Sequence, residues 1–561
     1  MKPITDYLYF KLNHRARSLV LIGLLVLVCT FFIITFSRTQ PEYTISRIFI
    51  NQDRFDSLTK YNVAEDSPIT TELYIEDEKL IYDAVENCFY FSYTDGDDFG
   101  KQTLYVDTQN YSYKEALLGN YIHAAILNNE NPKLVLYTKD RISVSDFVIT
   151  TLPIININIS AETVEELKLD ETYNIEEYAP GSMTLYDNRT DFDLAKRTIT
   201  SDIKIHRRGG TTIDFPQKSY RVTLLDSTDN FGKTKKANLL GLREDDDWIL
   251  YSAYSDYEKI RTPFSMNLWK EMSSGNNEWG ASVSNEYKYI ELFFNGRYHG
   301  LYTLTYPLDN KSFSIGEGET LFKKSDWSET EYSLDLEPFE DDTDLLWLPG
   351  YTVKEGSDVS YSILHQLYYN MAYSPDPGTI RESIDIDNSI DLWLFYKITQ
   401  AVDNIYGTGV KNLFTATKLS DSGDEGYKLL FAPWDMDQTW GNRYVDGEGR
   451  HGISSYYNPV DYDLPMDWGT VPFLMAAGDT EIVQEIKDRY HQLRETVLSD
   501  ASLSEDIAKY ESDIYDSGAF QRTINRWPDG NYYDPQVKLD GFENYVLARM
   551  KYMDTYIDSL Q

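Results

Sequence analysis

The sequence predicts an α+β fold in which a strand-rich lobe precedes a helix-rich lobe, after a transmembrane helix and a small β-rich domain. Three observations predict this: one long apolar run near the N-terminus, alternating apolar residues between about 152 and 304, and apolar residues at helical spacing from about 358. The 561 residues are 42% hydrophobic and 14% aromatic, which is typical of packed cores rather than disorder. We therefore expect a folded body of two or three domains.

The apolar run at residues 19–36 contains no charged residue and no proline, and it is long enough to cross a membrane as one helix. Four basic residues precede the run: Lys2, Lys11, Arg15 and Arg17. Only Arg38 follows it closely. This bias predicts a cytoplasmic N-terminus at 1–18 and an extracytoplasmic body. The alternative is a cleaved signal peptide, but the run exceeds a usual signal core and its flank lacks an A-x-A-like site.

Charge and cysteine content restrict the partners and the compartment. Acidic residues outnumber basic residues by 91 to 52, and the net charge of −39 repels phosphate polymers, which excludes nucleic acid as the main partner. Cys29 lies in the apolar run and Cys88 is alone outside it, so the body can form no internal disulfide. An extracytoplasmic body without disulfides favours a bacterial surface over a secreted animal protein.

Composition and periodicity divide the body into regions. Short β-type runs separated by Asp, Gly and Asn predict a small β-rich domain at 43–150, with a role as a stalk or spacer. Strand patterns dominate after residue 152, and helical patterns dominate from 358 apart from a strand at 427–435. We expect the last residues, 501–561, to form a helical extension that packs on the preceding domain.

The segment RRGGTTIDFPQKSYRV at 207–222 is the first candidate for chemistry. The backbone at Gly209 and Gly210 can approach a ligand closely, and exposed amides in such a turn can hold phosphate oxygens. Arg207, Arg208, Lys218 and Arg221 add positive charge, so we expect an anionic ligand here. The alternative is an ordinary hairpin with solvated basic residues.

Two further segments carry candidate polar residues. In PWDMD at 433–437, Asp435 and Asp437 follow a strand, and paired carboxylates suit Mg²⁺, although a turn with aspartate acceptors is an equal alternative. In AVDNIYGTGVKNLFTATK at 401–418, Asp403 could accept a proton and Asn412 could bind metal, or Asp403 could simply end a helix. The order of glycine turn, lysine, Asp, Asn and Asp is typical of protein kinases.

Four segments together resemble the CotH family, the spore-coat-associated atypical protein kinases. They are residues 207–222, 238–272 (NLLGLREDDDWILYSAYSDYEKIRTPFSMNLWKEM), 289–304 (YIELFFNGRYHGLYTL) and 431–441 (FAPWDMDQTWG). The resemblance covers about 152–500. It implies an atypical protein-kinase-like two-lobed domain that binds ATP and Mg²⁺ and phosphorylates serine or threonine of envelope or spore coat proteins.

The resemblance also implies roles for residues at matching positions. Lys218 would contact the ATP phosphates and Asp403 would be the catalytic base. Asn412 would hold the metal together with Asp435 or Asp437. The remaining implied nucleotide-binding residues surround the glycine turn: Arg208, Gly209, Gly210 and Arg221.

The chain departs from the kinase patterns at several points. The HRD and DFG motifs of ordinary kinases are absent, the loop from Asp403 to Asn412 is longer than in the family, and Tyr306 stands where the family usually has a glutamate. A catalytically inactive surface module that binds an envelope protein or glycan is therefore the alternative function. In EDDDWIL at 244–250 we expect a structural role for Trp248 and for the neighbouring SDYEKIR segment at 255–261, rather than a calcium site.

Overall fold

The computed structural model describes most of the chain after residue 42. The described ranges are 43–44, 48–61, 63–64, 72–94, 101–106, 114–118, 132–138, 141–189, 197–228, 231–326, 347–356, 361–406, 409–420, 426–442, 444–445, 449–450, 468–530 and 532–561. The predicted transmembrane helix at 19–36 lies outside them. Among the helices within these ranges, none combines the length and the apolar character needed to cross a membrane.

The first part of the chain forms short strands and one helix. They are β1 (Tyr43–Thr44), β2 (Phe49–Ile50), α1 (Gln52–Tyr61), β3 (Val63–Ala64), β4 (Leu73–Ile75), β5 (Glu78–Lys79), β6 (Ile81–Asp83), β7 (Cys88–Ser92), β8 (Thr103–Val106), β9 (Lys114–Leu118), β10 (Lys133–Tyr137) and β11 (Arg141–Thr150). The described residues divide into two compact units: those within 1–80, 98–121 and 133–144 form the first, and the others form the second. The predicted domain boundaries remain predictions.

The first unit is β-rich. It contains a sheet in the order β1-β8-β4-β5, and β9 pairs antiparallel with β10 and parallel with β2. Leu58 of α1 packs with Val135 and Ile142, and all three side chains are buried. The alternating burial of β4, in which Leu73 and Ile75 point inward, is the pattern of a strand with one covered face.

The second unit contains a closed seven-stranded barrel in the order β12-β13-β14-β15-β16-β18-β17. Its strands are β12 (Ile154–Asn158), β13 (Ala179–Tyr186), β14 (Thr198–Arg208), β15 (Ser219–Leu225), β16 (Asp247–Tyr251), β17 (Lys288–Phe294) and β18 (Arg297–Thr305). In β14, Ser201, Ile203 and Ile205 are buried and alternate with more exposed residues, so the strand turns one face to the barrel core.

Within the described ranges, two α-helices lie between barrel strands, and the later helices and a second sheet follow β18; we call the part after β18 the helical lobe. The helices are α2 (Ala161–Glu166), α3 (Arg261–Ser273), α4 (Asn310–Phe313), α5 (Tyr361–Tyr373), α6 (Pro377–Glu382), α7 (Ile386–Thr399), α8 (Thr470–Ala476), α9 (Ile482–Arg494), α10 (Asp500–Glu511), α11 (Ala519–Arg526) and α12 (Asp540–Ser559). The strands are β19 (Thr320–Lys324), β20 (Tyr351–Glu355), β21 (Ile405–Tyr406), β22 (Gly409–Val410), β23 (Leu413–Leu419), β24 (Tyr427–Pro433), β25 (Tyr444–Val445) and β26 (Gly449–Arg450).

The helical lobe is organised around α7 and a sheet in the order β20-β19-β23-β24. Asp385 caps α7, because its side chain accepts a hydrogen bond from the Asn388 N–H. Nearly all of α7 is buried, as expected for a helix that is apolar on every face. The predicted α+β class is confirmed, and the order of strands and then helices is consistent with a two-lobed fold.

The C-terminal helices contact both the barrel and the helical lobe. Arg522 of α11 forms an ion pair with the fully buried Glu291 of β17 at 2.6 Å. Arg549 of α12 donates a hydrogen bond of 2.6 Å to the carbonyl oxygen of Lys397 in α7. These buried contacts fasten the end of the chain to both parts of the second unit.

Candidate active site

The glycine pair forms the turn between β14 and β15. Gly209 has φ 137°, and a Cβ added there would lie only 2.3 Å from Thr212 Oγ1, so the turn requires glycine at this position. Gly210 is exposed and faces open space, with no described atom within 4 Å of an added Cβ. A short 3₁₀ helix at Thr211–Asp214 completes the turn. The backbone at Gly210 is therefore accessible to a ligand.

Two of the predicted phosphate-binding cations are held by neighbours on the barrel. Lys218 is 7% exposed, and its Nζ donates a hydrogen bond of 2.8 Å to the Ile213 carbonyl oxygen. Burial lowers the pKa of Lys218, and the charge of Arg207 lowers it further. The Arg221 Nε lies 2.9 Å from both carboxylate oxygens of Asp247, a hydrogen bond that raises the pKa of Arg221. Lys218 thus stabilises the turn, and the charge of Arg221 is balanced by Asp247.

Two other cations converge on Trp434 from different sheets. The guanidinium of Arg208, the last residue of β14, lies 5.8 Å from the centre of the Trp434 ring. The Nζ of Lys323 on β19 lies 5.6 Å from the centre of the same ring. Because Trp434 immediately precedes Asp435, both charges are brought to the predicted metal-binding segment.

The positive charges of Arg208 and Lys323 are only partly balanced by nearby negative charge. Burial lowers the pKa of Arg208, whereas Tyr287 and Asp435 oppose this shift. Burial and the charge of Arg208 lower the pKa of Lys323 to about 8, although Asp435 opposes the shift. Within the described part of the chain, the side chains of Arg208, Lys323 and Asp435 form no hydrogen bond or ion pair. Two half-buried cations thus lie near a single carboxylate, and their excess positive charge would attract an anion.

The two aspartates of PWDMD differ in their accessibility. Asp435 is exposed and has φ 60°, a left-handed conformation that is uncommon for any residue except glycine. Asp437 is 8% exposed, and its Oδ2 accepts a hydrogen bond of 2.9 Å from the Ser255 hydroxyl. The geometry therefore favours Asp435 as the carboxylate that meets a ligand and Asp437 as part of the support of the loop.

Asp403 and Asn412 lie together, as the sequence predicts. Asn412 Nδ2 donates a hydrogen bond of 3.1 Å to Asp403 Oδ2, and Lys411 Nζ lies 2.8 Å from Asp403 Oδ1. The Trp434 N–H donates a hydrogen bond of 3.0 Å to the Asn412 carbonyl oxygen, which places this pair next to Asp435. The site thus joins an oriented carboxylate to the segment on which the two cations converge.

The residues present fit a magnesium ion bound together with phosphates. Mg²⁺ in phosphoryl-transfer sites is usually held by one or two protein oxygen ligands, substrate phosphates and water. Asp435 offers a carboxylate, and Asn412 offers its amide oxygen because its Nδ2 is bound to Asp403. No group of three or more His, Cys, Asp or Glu side chains suited to a metal occurs in the described ranges, so phosphate oxygens would have to complete the ligand set.

A family model described as CotH kinase protein matches residues 205–553, more than half of the chain. The chain belongs to the CotH family. A comparison with curated proteins gave no match. The predicted resemblance is confirmed as a family assignment, and the match covers the glycine turn, the Asp403 segment and the PWDMD segment.

Tyr306, at the position where the CotH pattern usually has glutamate, follows the end of β18 and is 5% exposed. The Arg243 guanidinium lies 4.1 Å from the centre of its ring, and Trp248 packs edge-on at 6.5 Å. Burial raises the pKa of Tyr306 to about 12. A neutral phenol therefore occupies the position at which the resemblance predicts a carboxylate.

Two of the three aspartates of EDDDWIL, Asp245 and Asp247, are bound to protein cations. Asp245 is fully buried, and its carboxylate forms ion pairs with Arg243 at 2.8 Å and with Lys311 at 2.6 Å. Asp247 binds Arg221, and the neighbouring Trp248 is 1% exposed in the barrel core. These contacts are those of a structural segment.

Sequence reasoning missed two cations of the candidate site. Lys323 lies in the strand TLFKK, about one hundred residues from either Arg208 or Trp434, and no local pattern distinguishes it from the adjacent Lys324. Lys411 directly precedes Asn412, and its position beside a candidate base was a signal that could have been used. Only the three-dimensional arrangement relates Lys323 to the site.

Proposed function

We propose that this CotH-family protein is a membrane-anchored protein kinase that transfers the γ-phosphate of ATP to serine or threonine of envelope or spore coat proteins. The observation that carries the proposal is the convergence of Arg208 and Lys323 on Trp434 and Asp435 from two sheets. Phosphoryl transfer depends mainly on positioning and on neutralising phosphate charge, which this arrangement would supply.

The residues of the site would divide the work of transfer. Arg208 and Lys323 would bind phosphate oxygens, and Asn412 and Asp435 would hold Mg²⁺. When bound, that ion would neutralise charge that develops on the phosphates. Asp403 would accept the proton of the acceptor hydroxyl. The hydroxyl oxygen would form a bond to the γ-phosphorus of ATP, and the bond between that phosphorus and the oxygen that leaves with ADP would break. This assigns Lys218 to supporting the turn, because its Nζ is bound to Ile213.

The location of the body belongs to the same proposal. The apolar run at 19–36 and the basic residues before it support an N-terminus in the cytoplasm and a body at the bacterial cell surface or in the spore envelope. A kinase there would need a compartment that contains nucleotide, such as the space around a developing spore. Protease accessibility of the body in intact cells would test this location.

A specific observation favours the second candidate, a catalytically inactive module that binds an envelope protein or a glycan. Tyr306 replaces a family carboxylate and packs against Arg243, so this position can supply neither a metal ligand nor a lysine partner. Thermal stability in the presence of Mg²⁺-ATP separates the two candidates, because a ligand that binds only the native state raises its stability. An inactive module without a nucleotide site would show no shift.

The direct test is transfer of labelled γ-phosphate by the full-length chain in detergent to itself and to a serine-rich acceptor. Asp435→Asn should lower the rate by at least about 100-fold, the scale of removing a preorganised transition-state contact. The matched control is Asp529→Asn at an exposed position outside the site. No transfer by the unmodified chain at high protein and Mg²⁺ concentration would contradict the kinase proposal.

A further inference from the structure

The segment at 252–261, between β16 and α3, buries an unusual set of charged side chains. Asp256, Glu258, Lys259 and Arg261 are each no more than 2% exposed. Taking charges out of water is unfavourable unless their partners are complete, so this arrangement needs a specific set of contacts to persist. The segment includes the SDYEKIR motif, which the proposed phosphoryl transfer leaves unused.

Arg261 is the centre of this charged set. Its Nη1 donates a hydrogen bond of 2.6 Å to Asp256 Oδ1, and its Nη2 forms an ion pair with Glu258 Oε2 at 2.9 Å. Its Nε points away from the segment and donates a hydrogen bond of 3.2 Å to the Thr439 carbonyl oxygen. Two carboxylates thus orient a guanidinium toward the loop that follows Asp435.

Two serines of the same region contact that loop. The Ser255 hydroxyl donates to Asp437 Oδ2 at 2.9 Å, and Trp440 Nε1 donates to the Ser265 hydroxyl at 2.9 Å. Ser265 also lies within hydrogen-bonding distance of the Thr439 hydroxyl, at 3.3 Å. Asp437, Thr439 and Trp440 are therefore each bound by a residue between β16 and the middle of α3.

These contacts lie immediately after a residue whose backbone needs support. Asp435 adopts φ 60°, which is unfavourable for a residue with a Cβ unless its surroundings determine it. On the preceding side, Asn404 Nδ2 donates a hydrogen bond of 2.7 Å to the Trp434 carbonyl oxygen. On the following side, Ser255 and Arg261 hold the loop. The backbone that carries the Asp435 side chain is thus held on both sides.

We propose that Arg261 and Ser255 are positioning residues for the Asp435 carboxylate and thereby determine how strongly Mg²⁺ supports nucleotide binding. The inference rests on the proposed function, in which Asp435 holds the metal. Neither residue would touch ATP or the metal. Their effect should therefore appear in the dependence of ATP binding on Mg²⁺ and not in the binding of metal-free ATP, which Arg208 and Lys323 would support.

The test measures the affinity of the full-length chain for ATP with Mg²⁺ and with a chelator. Mg²⁺ should strengthen ATP binding by the unmodified chain, measured as the ratio of the affinity with Mg²⁺ to that with chelator. Ser255→Ala and Arg261→Lys should each lower this ratio by about tenfold, the lower end of the usual effect of residues that orient metal ligands. Affinity for metal-free ATP should stay within about twofold, and Asp435→Asn should abolish the effect of Mg²⁺. Ser255→Ala removes a single hydroxyl group, so this variant still tests the inference if Arg261→Lys does not fold.

The control is Arg522→Lys, which alters another buried arginine–carboxylate pair whose partner is Glu291. Undiminished strengthening by Mg²⁺ in Ser255→Ala or in a folded Arg261→Lys would overturn the inference, as would an equal loss in Arg522→Lys. If Asp435→Asn binds Mg²⁺-ATP as well as the unmodified chain does, the metal site of the proposed function fails instead.

Discussion

The Asn412 side-chain amide donates a hydrogen bond of 3.1 Å to Asp403, across a loop that the sequence alone leaves unresolved. Asn412 has φ 52°, and its carbonyl oxygen accepts hydrogen bonds from the Trp434 N–H and from Asn404 Nδ2. One residue thus orients the candidate base and also connects it to the segment before Asp435. The length of the loop does not separate Asp403 from Asn412, because Lys411 and Asn412 both turn back toward the carboxylate.

The first prediction concerns Asp403 as the proton acceptor. Asp403→Asn should lower the rate of phosphate transfer by about 10²–10⁴-fold, the usual contribution of a general base, because an amide cannot accept the proton. Affinity for Mg²⁺-ATP should change by less than about twofold, since the cations proposed to bind phosphate are untouched. Single-turnover transfer and equilibrium ATP binding measure the two quantities. A wild-type rate in Asp403→Asn would exclude the base assignment.

The second prediction concerns Lys323 and pH. Burial lowers the pKa of Lys323 to about 8, so the side chain loses its charge as the pH rises through that value. A bound phosphate favours the charged form, and affinity for ATP should therefore be strongest below pH 8 and fall by about tenfold toward pH 9.5, equivalent to about 1.4 kcal/mol. Titration of labelled ATP at several pH values measures this decline.

Substitution at Lys323 separates its contribution from those of other groups. Lys323→Arg keeps a positive charge at all these pH values and should remove most of the decline. Lys323→Met should bind ATP weakly throughout. Lys324→Met is the matched control, because Lys324 is the next residue of β19 but its Nζ donates a hydrogen bond of 3.2 Å to the Pro349 carbonyl oxygen; it should leave ATP binding unchanged. A decline that persists unchanged in Lys323→Arg would show that another group is responsible.

The third prediction compares the two glycines of the turn. Gly209→Ala forces a residue with a Cβ into φ 137° and against Thr212 Oγ1, which should lower the free energy of unfolding by about 1–3 kcal/mol and weaken ATP binding. At Gly210, φ is −95° and an added Cβ meets no described atom within 4 Å. Gly210→Ala should therefore change the free energy of unfolding by no more than about 0.5 kcal/mol. Chemical denaturation of both variants measures the difference. Equal effects would mean that the turn differs from the one described.

Local signals in the sequence account for much of the helical lobe. The period of apolar residues and the cap at Asp385 predict α7, and the pattern YSILHQLYYNMAY corresponds to α5 at Tyr361–Tyr373. The strand predicted at 427–435 is β24, which ends at Pro433. Such signals work because caps and periodicity involve residues only a few positions apart.

Long-range pairing could not be predicted in the same way. The barrel closes because Ile154 to Ile157 of β12 pair in parallel with Glu291 to Phe294 of β17, and no feature of either strand specifies this partner. The meeting of Arg208 and Lys323 at Trp434 likewise depends on how the barrel lies against the second sheet. The motif order predicts Asp403, Asn412 and Asp435 as site residues and Lys218 as the phosphate contact, and these roles stay predictions.

The last prediction concerns Asp513, which lines a groove of about 330 Å³ between α3 and α10. Burial raises the pKa of Asp513 to about 6, and Lys288 opposes the shift only in part. Because the native state favours the protonated form of Asp513, the free energy of unfolding is least reduced by this residue at a pH below the pKa that the carboxyl group has in the unfolded state. Ionisation destabilises the native state progressively as the pH rises from about 4 to about 6.

Asp513→Asn should therefore raise the free energy of unfolding at pH 7.5 by up to about 3 kcal/mol, the equivalent of a two-unit pKa shift, and change it little at pH 4. Asp506→Asn is the matched control in the same groove, because Asp506 is paired with Lys509 at 3.1 Å and its loss should give no such gain. Denaturant unfolding at both pH values measures the difference. A gain that is independent of pH would indicate that packing, and not the charge of Asp513, is responsible.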